Sequence, residues 1–299
     1  MRNASRVLAA SGVILVLVIV GYVFVLKNTI TTRTKSEDNE KLVIAATIFP
    51  LYDLARQVAG DDAKAILVLP PGASPHTFEP LPTIVRQLES ADVLFVVGLG
   101  LDDWATGLVG PDTTIIRIGP DENNGLRCKD GICDPHFWMS PKIATLMADG
   151  IRATLMNTDR AHLAEYDERG RTLMTSVATL DTEIKTTLAS VSNRHILTFH
   201  DAFEYFANDY DLDIVGTFEP SPGREPSAQD LARLNKLVRE FNIKTVYTEP
   251  QSSSAGIQAF ISDLNLDVRA LDDLGGVPGR ETYQDLIRYN ANTIASSTP

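Results

Sequence analysis

The sequence has few basic residues relative to its acidic ones. It carries 27 Lys and Arg against 39 Asp and Glu, a net charge of −12, and residues 1–41 alone carry +3. A nucleic-acid-binding protein needs a basic face to neutralise phosphates. The charge balance therefore argues against nucleic acid as a partner.

The chain also lacks the short motifs of common hydrolases and nucleotide-binding enzymes. It contains no H-E-x-x-H, no G-x-S-x-G and no phosphate-binding glycine loop. It has no internal repeat and no low-complexity tract. We do not predict an enzyme, and a zinc hydrolase is kept only as an alternative.

Cysteine is scarce, since Cys128 and Cys133 are the only two in the chain. Outside the cytoplasm an even, closely spaced pair usually forms a disulfide. Closing so short a loop stabilises the fold by about 2 kcal/mol in the chain-entropy model. A metal–thiolate site is the alternative, although two thiols without a C-x-x-C spacing fit it poorly.

Residues 7–26 contain no charged side chain, and Arg2 and Arg6 precede them. Twenty such residues are long enough to cross a bilayer, and the basic flank is typical of a secretory signal. No small-x-small cleavage site follows, and no cysteine stands at the end to carry a lipid. We therefore predict an uncleaved transmembrane helix holding an extracytoplasmic protein to the membrane, with a polar tether up to residue 41. Secretion after signal cleavage is the alternative.

Residues 159–191 contain no proline and one glycine. Apolar residues recur there at three- and four-residue steps, from Leu163 to Val191, which indicates one face of a helix. A helix of that length would measure roughly 50 Å, too long for one small domain, and it lacks sustained heptads. We predict a rigid helix that links two lobes; packing inside a single domain is the alternative.

Strand-like and helix-like runs alternate on both sides of this helix. The predicted strands cover residues 42–47, 63–69, 93–97, 114–118, 195–199, 212–218, 244–248 and 267–271. Such alternation predicts an α/β fold in which each lobe is a parallel sheet covered by helices. The predicted domains are 1–41, the anchor and tether; 42–158, the first lobe; 159–191, the linking helix; and 192–299, the second lobe.

Histidine is rare, with five in the chain. His76 follows the second predicted strand, His136 lies beyond the cysteine loop, and His200 and Asp272 directly follow strands of the second half. Parallel sheets build their sites at these strand ends, and imidazole with carboxylate suits zinc, manganese or iron. Position alone does not exclude the ordinary alternative to a metal site, in which these four are polar surface residues.

Seven short sequence segments between residues 72 and 276 give more specific information than position alone. They are, in order, GASPHTFEP, GLGLDDW, DPHFWMSP, TFHDAFEYFA, EPSAQDLARL, YTEPQSS and ALDDLGG. Together they resemble the extracytoplasmic metal-binding proteins of zinc and manganese ABC importers, the zinc-binding-protein-A and TroA-like family. The resemblance runs from about residue 42 to the C-terminus and implies two α/β lobes joined by one helix.

The resemblance implies a ligand set of His76, His136, His200 and Asp272. Asp273 stands where many zinc-binding members have proline, so it is either a neighbouring acceptor or a rival ligand. Glu249, in YTEPQ, is implied as a cleft residue. Three imidazoles and one carboxylate favour zinc over manganese or iron. The absence of a histidine-rich loop before His136 weakens that preference without reversing it.

The implied protein is a monomeric receptor and not an enzyme. It captures a divalent cation between its lobes and delivers it to an ABC permease with its ATPase. A manganese or iron receptor is one alternative, and a cell-adhesion or interaction protein with a structural metal is another. A rigid linking helix predicts small local changes on binding. Three imidazoles that must be neutral predict a loss of affinity below roughly pH 6.5.

Overall fold

The N-terminal sheet has four parallel strands, in the spatial order β2 (Ala63–Leu67), β1 (Leu42–Ala46), β3 (Val93–Val96) and β4 (Thr114–Arg117). A computed structural model describes residues 41–219, 224–252 and 254–297. The predicted anchor, residues 7–26, lies outside these ranges, and none of the helices within them is long and apolar enough to cross a membrane. The elements of this sheet are β1 (Leu42–Ala46), α1 (Phe49–Ala59), β2 (Ala63–Leu67), α2 (Pro82–Leu88), β3 (Val93–Val96) and β4 (Thr114–Arg117).

A small antiparallel hairpin follows this sheet and carries both cysteines. It pairs β5 (Cys128–Lys129) with β6 (Ile132–Cys133). Asp130 and Gly131 form the turn with φ of 52° and 81°, the positive values that a two-residue primed turn requires. The sulfur atoms are 2.02 Å apart, so the predicted disulfide is confirmed.

The predicted linking helix is present but begins later than the sequence pattern suggests. Helix α3 (Pro141–Thr158) ends at Asp159, a 3₁₀ turn covers Arg160–His162, and α4 runs over Leu163–Leu188. The break has a local cause, because Asp159 leaves helical geometry at φ −122° and ψ 89° and its carboxylate accepts from the Ala161 N–H. The 26 residues of α4 measure about 39 Å.

One face of α4 is buried along its whole length, as the apolar periodicity predicts. Leu163, which was included in that stripe, is 42% exposed because it stands at the first turn. The buried residues are Tyr166, Gly170, Leu173, Val177, Leu180, Ile184 and Leu188.

The C-terminal sheet repeats the parallel architecture, in the spatial order β10 (Asp267–Ala270), β9 (Thr245–Thr248), β7 (His195–His200) and β8 (Asp213–Glu219). Helix α6 (Ala228–Glu240) begins at a capping box, in which Ser227 and Asp230 exchange hydrogen bonds with each other's backbone N–H groups. The elements are β7 (His195–His200), α5 (Glu204–Asp209), β8 (Asp213–Glu219), α6 (Ala228–Glu240), β9 (Thr245–Thr248), α7 (Gln258–Leu264), β10 (Asp267–Ala270) and α8 (Tyr283–Ser297).

Alternate residues of each central strand point into different apolar cores. In β1, Ile44 and Ala46 face a central core while Ala45 faces an outer one, and in β7 Ile196 and Leu197 separate in the same way. The central core is continuous from the first sheet through α1, α3, α4 and α8 to the second sheet. The two lobes therefore share their main apolar core, and each has a smaller outer core of its own.

Polar contacts reinforce this shared core. The Tyr283 N–H donates to the buried Asp53 carboxylate at 2.7 Å, and the Tyr283 hydroxyl donates to the Trp138 carbonyl at 2.7 Å. The Trp138 indole N–H in turn donates to the Asp273 carbonyl at 2.6 Å. These bonds tie the C-terminal segment to the first lobe beside the predicted ligands.

Candidate metal centre

Three histidines from different parts of the chain converge where the lobes meet. His76 lies in the loop after β2, His136 precedes a 3₁₀ turn at Phe137–Met139, and His200 is the last residue of β7. One ring nitrogen of each lies within 4.8 Å of the others. Within the described ranges no other group of three or more His, Cys, Asp or Glu side chains meets that criterion.

The spacing of these imidazoles matches the geometry of a bound transition metal. His76 Nε2 and His136 Nε2 are 3.3 Å apart. Two nitrogens bound to one tetrahedral zinc at about 2.0–2.1 Å would be separated by about 3.3 Å. The ring centroids of His200 lie 5.2 Å from His76 and 5.1 Å from His136, with both ring pairs close to perpendicular.

Both ring nitrogens of His200 are buried inside the protein. Its side chain is 7% exposed, and neither Nδ1 nor Nε2 makes a hydrogen bond of normal geometry with a described residue. The Glu219 backbone lies beside the ring and raises its pKa, by less than burial lowers it. A buried polar atom without a partner is costly and in native structures usually indicates an ion or a water. The donor set therefore fits a metal that is coordinated by imidazole nitrogen.

Burial keeps two of the histidines neutral. It lowers the pKa of His76 to about 4 and that of His200 to about 3, with the neighbouring His136 acting in the same direction. A metal binds only the unprotonated imidazole. These two rings therefore stay available to a cation at pH values where an exposed histidine is largely protonated.

Asp134 orients His136 and was missed in the sequence analysis. Its Oδ1 lies 2.8 Å from His136 Nδ1 and also accepts from the His136 backbone N–H at 2.9 Å. Carboxylate–imidazole contacts of this kind fix the ring and leave the opposite nitrogen, Nε2, for the metal. The signal was available, since an acidic residue stands two positions before the histidine in D-P-H.

Asp272, the predicted oxygen ligand, does not lie in this cluster. Its Oδ1 accepts from the backbone N–H groups of Leu274 and Gly275, each at 2.9 Å. Its Oδ2 lies 3.3 Å from Arg280 Nε, a charge contact in which the N–H is not aimed at the oxygen. The side chain therefore closes its own turn, which Gly275 and Gly276 allow by adopting φ of 78° and 76°.

Asp273 and Glu249 lie beside the histidines, where the resemblance implied a neighbouring acceptor or rival ligand and a cleft residue. They line a 220 Å³ cavity that His76 and His200 also border. Asp273 Oδ1 accepts from the Gln251 amide at 2.7 Å, and Glu249 Oε1 has no partner among the described residues. Burial raises the pKa of Asp273 to about 6 and raises that of Glu249 well above its usual range.

Two parallel-sheet lobes, a long helix between them and three histidines at their junction define a metal-binding protein with a solute-binding architecture. Residues 44–297 match the family model described as zinc-uptake complex component A, periplasmic. The chain belongs to this family, whose members are extracytoplasmic metal-binding components of ABC importers. They act with a permease and its ATPase and are not enzymes, so the hydrolase alternative is dropped.

Similar proteins are named for more than one metal. The chain is 25% identical to the high-affinity zinc uptake system protein ZnuA of Bacillus subtilis, over 90% of this chain and 92% of that protein. It is 27% identical to the manganese-binding lipoprotein MntA of Halalkalibacterium halodurans, over 87% and 90% respectively. A crystal structure of ZnuA superposes with a TM-score of 0.77 at 25% identity, covering 87% of this chain and all of that one.

Proposed function

We propose that this protein captures zinc outside the cytoplasm and that His76, His136 and His200 are its nitrogen ligands. The observation that carries the proposal is the 3.3 Å separation of His76 Nε2 and His136 Nε2 beside the two unpartnered nitrogens of His200. A set of three imidazole nitrogens favours zinc over harder cations.

Manganese is a second candidate because of the carboxylates beside the histidines. Asp273 borders the same cavity as His76 and His200, and the buried Glu249 carries an oxygen without a partner among the described residues. Carboxylate oxygens favour manganese, and one relative is named for that metal.

We propose Asp273, and not Asp272, as the group that completes the site, because both oxygens of Asp272 face other partners.

A titration of the metal-free protein with zinc and with manganese tests this proposal. We expect one equivalent of zinc that excess manganese does not displace, counted by elemental analysis. One equivalent of manganese that resists zinc would instead favour the second candidate. Absence of binding by either metal would remove the proposal.

Asp272→Asn and Asp273→Asn form a matched pair for the oxygen ligand. We expect Asp273→Asn to weaken metal binding by about tenfold or more, since it removes a charged group beside the site. Asp272→Asn should leave affinity within about threefold and lower thermal stability instead, because it keeps the oxygen that closes the turn but removes the negative charge beside Arg280. The reverse pattern would restore Asp272 as the ligand.

We further propose that binding proceeds with small local changes. The central core is continuous across both lobes, and the Tyr283 contacts cross it beside the site. Closely similar small-angle scattering profiles with and without zinc are expected. A decrease in radius of gyration of several ångströms would contradict a rigid junction.

The membrane anchor over residues 7–26 stays a proposal that the sequence alone supports. Its test is fractionation of cells that produce the whole chain. Recovery in the membrane fraction with an intact N-terminus supports the anchor, and a shortened soluble form supports signal cleavage.

A further inference from the structure

The disulfide hairpin lies at the rim of the metal cavity. Cys128, Ile132 and Cys133 line an open cavity of 950 Å³ that the three histidines also border. The hairpin connects through Asp134 and Pro135 to His136. Movement of the hairpin is therefore transmitted to a candidate ligand only three residues after Cys133.

Apolar packing does little to hold this hairpin in place. Its paired residues are exposed or half-buried, and Ile132 is 78% exposed. A two-stranded hairpin of two residue pairs is not stable in water by itself. Other attachments must therefore hold it. Besides a long ion pair of Arg127 with Glu204 at 3.9 Å and a contact of the Arg127 guanidinium with the Tyr205 ring at 5.9 Å, the structure provides two stronger ones.

The first attachment is the disulfide, which joins the facing residues Cys128 and Cys133. The second is the hydroxyl of Tyr205, which comes from α5 in the other lobe. It accepts from the Arg127 N–H at 2.9 Å and donates to the Asp134 carbonyl at 3.1 Å. Asp134 N–H also donates to the Arg127 carbonyl at 2.9 Å, so the hydroxyl closes the hairpin at its base.

Tyr205 is well placed to act across the site. Its side chain is buried, and its ring contacts Phe137 edge to face at 6.5 Å, next to His136 in sequence. Helix α5 begins four residues after His200, at Glu204. The tyrosine therefore connects the segment that carries His200 with the loop that carries His136.

We propose that residues 127–134 form a strap across the mouth of the metal cavity, and that Tyr205 and the disulfide fasten it. This inference rests on the proposed function, because it assumes that the histidines hold the metal. Tyr205 and the cysteines are positioning groups and not ligands. By holding Asp134 and hence His136 in place, the fastened strap slows the release of bound metal.

The rate of zinc release tests the strap. Zinc-loaded full-length protein is mixed with an excess of a chromophoric chelator, and the dissociation rate is measured for the wild type, Tyr205→Phe and the double variant Cys128→Ser/Cys133→Ser. Loss of the Tyr205 hydroxyl should speed release by about three- to tenfold, the usual contribution of a hydrogen bond, and loss of the disulfide should speed it by at least as much. The stoichiometry should stay at one zinc per chain.

Tyr210→Phe is the matched control. It also removes the hydroxyl of a buried tyrosine, one that donates to Asp181 at 3.1 Å away from the hairpin. Its release rate should stay within about twofold of the wild type even where its melting temperature falls. A general loss of stability would instead speed release in the control as well.

Wild-type release rates in both strap variants, with folding and stoichiometry intact, would overturn the strap. If Tyr205→Phe folds poorly, complete reduction of the wild-type disulfide with a phosphine removes the other attachment, and unchanged release then counts equally against it. A wild-type protein that binds no zinc at all would instead overturn the proposed function, so the two failures are distinguishable.

Discussion

His136 and His200 are held in the same site by different means. His200 ends β7, a central strand bonded to β8 and β9, and no side chain contacts its ring nitrogens through a hydrogen bond among the described residues. His136 lies in a loop and depends on Asp134, the hairpin and the Trp138 bond to Asp273. A ligand at a strand end is positioned by the backbone of the sheet, whereas a ligand in a loop needs support from side chains.

The largest effect should follow from His200→Ala. The substitution removes one of three nitrogen donors, and we expect zinc affinity to fall by at least about 100-fold. The metal-free protein should lose little stability, because the substitution also removes two buried nitrogens that have no hydrogen-bond partner. Calorimetric titration and the zinc-induced shift in melting temperature measure the two quantities.

Retention of zinc within about tenfold of wild-type affinity would show that His200 is not a ligand. It would also remove the contrast between His200, which a strand positions, and His136, which lies in a loop.

A smaller effect should follow from Asp134→Ala, which tests the support of the loop directly. Loss of a carboxylate that orients a metal-binding histidine typically weakens binding by about 10- to 100-fold. Asp149→Ala is a control, because that exposed carboxylate pairs with Arg152 away from the site. Equal affinity of the Asp134 variant and the control would mean that His136 needs no such support.

The smallest effect concerns the protonation of the histidine side chains. Because burial lowers the pKa of His76 to about 4 and of His200 to about 3, their ring resonances in the metal-free protein should not titrate between pH 5.5 and 7.5 in an NMR experiment. His162 is only partly buried, and its hydrogen bond with Asp159 raises its pKa, so it should titrate at higher pH than usual. Titration of His76 or His200 near pH 6.5 would contradict their burial.

The pKa shifts of these histidines determine whether the stability of the fold rises or falls with pH. Below pH 6.5 the unfolded chain binds protons at His76 and His200 and the folded chain does not, so stability should fall as pH decreases from 6.5 toward 4 and 3. His162 acts in the opposite direction, because its contribution is present below pH 6.5 and is lost as pH rises through its raised pKa. The predicted loss of affinity below roughly pH 6.5 therefore does not come from His76 or His200.

The fold was largely predictable because its signals are periodic. The apolar runs place all eight strands of the two parallel sheets, and the stripe from Tyr166 to Leu188 places the long helix. What periodicity could not give was the break at Asp159, which depends on one side chain capping the next turn.

The sequence selected the three histidines that converge, but it did not separate the carboxylates around them. Motif order selected His76, His136 and His200, and strand-end position also selected His76 and His200. Asp272 and Asp273 are adjacent, so a small rotation of the backbone decides which one faces the cavity, and no sequence pattern encodes that rotation. Tyr205 acts through hydrogen bonds to backbone atoms, which carry no signature in the sequence of the hairpin.

The continuous central core has a consequence for how cargo leaves. Separating two lobes that share one apolar interior would expose that interior to water, which is unfavourable. A rigid junction of the kind proposed above would therefore store little elastic energy when metal is bound. We therefore expect the permease to draw metal out by ligand exchange, presenting its own donors to an ion that is released one bond at a time. The rate of metal release would then be limited by ligand exchange at the mouth of the cavity and not by movement of the lobes.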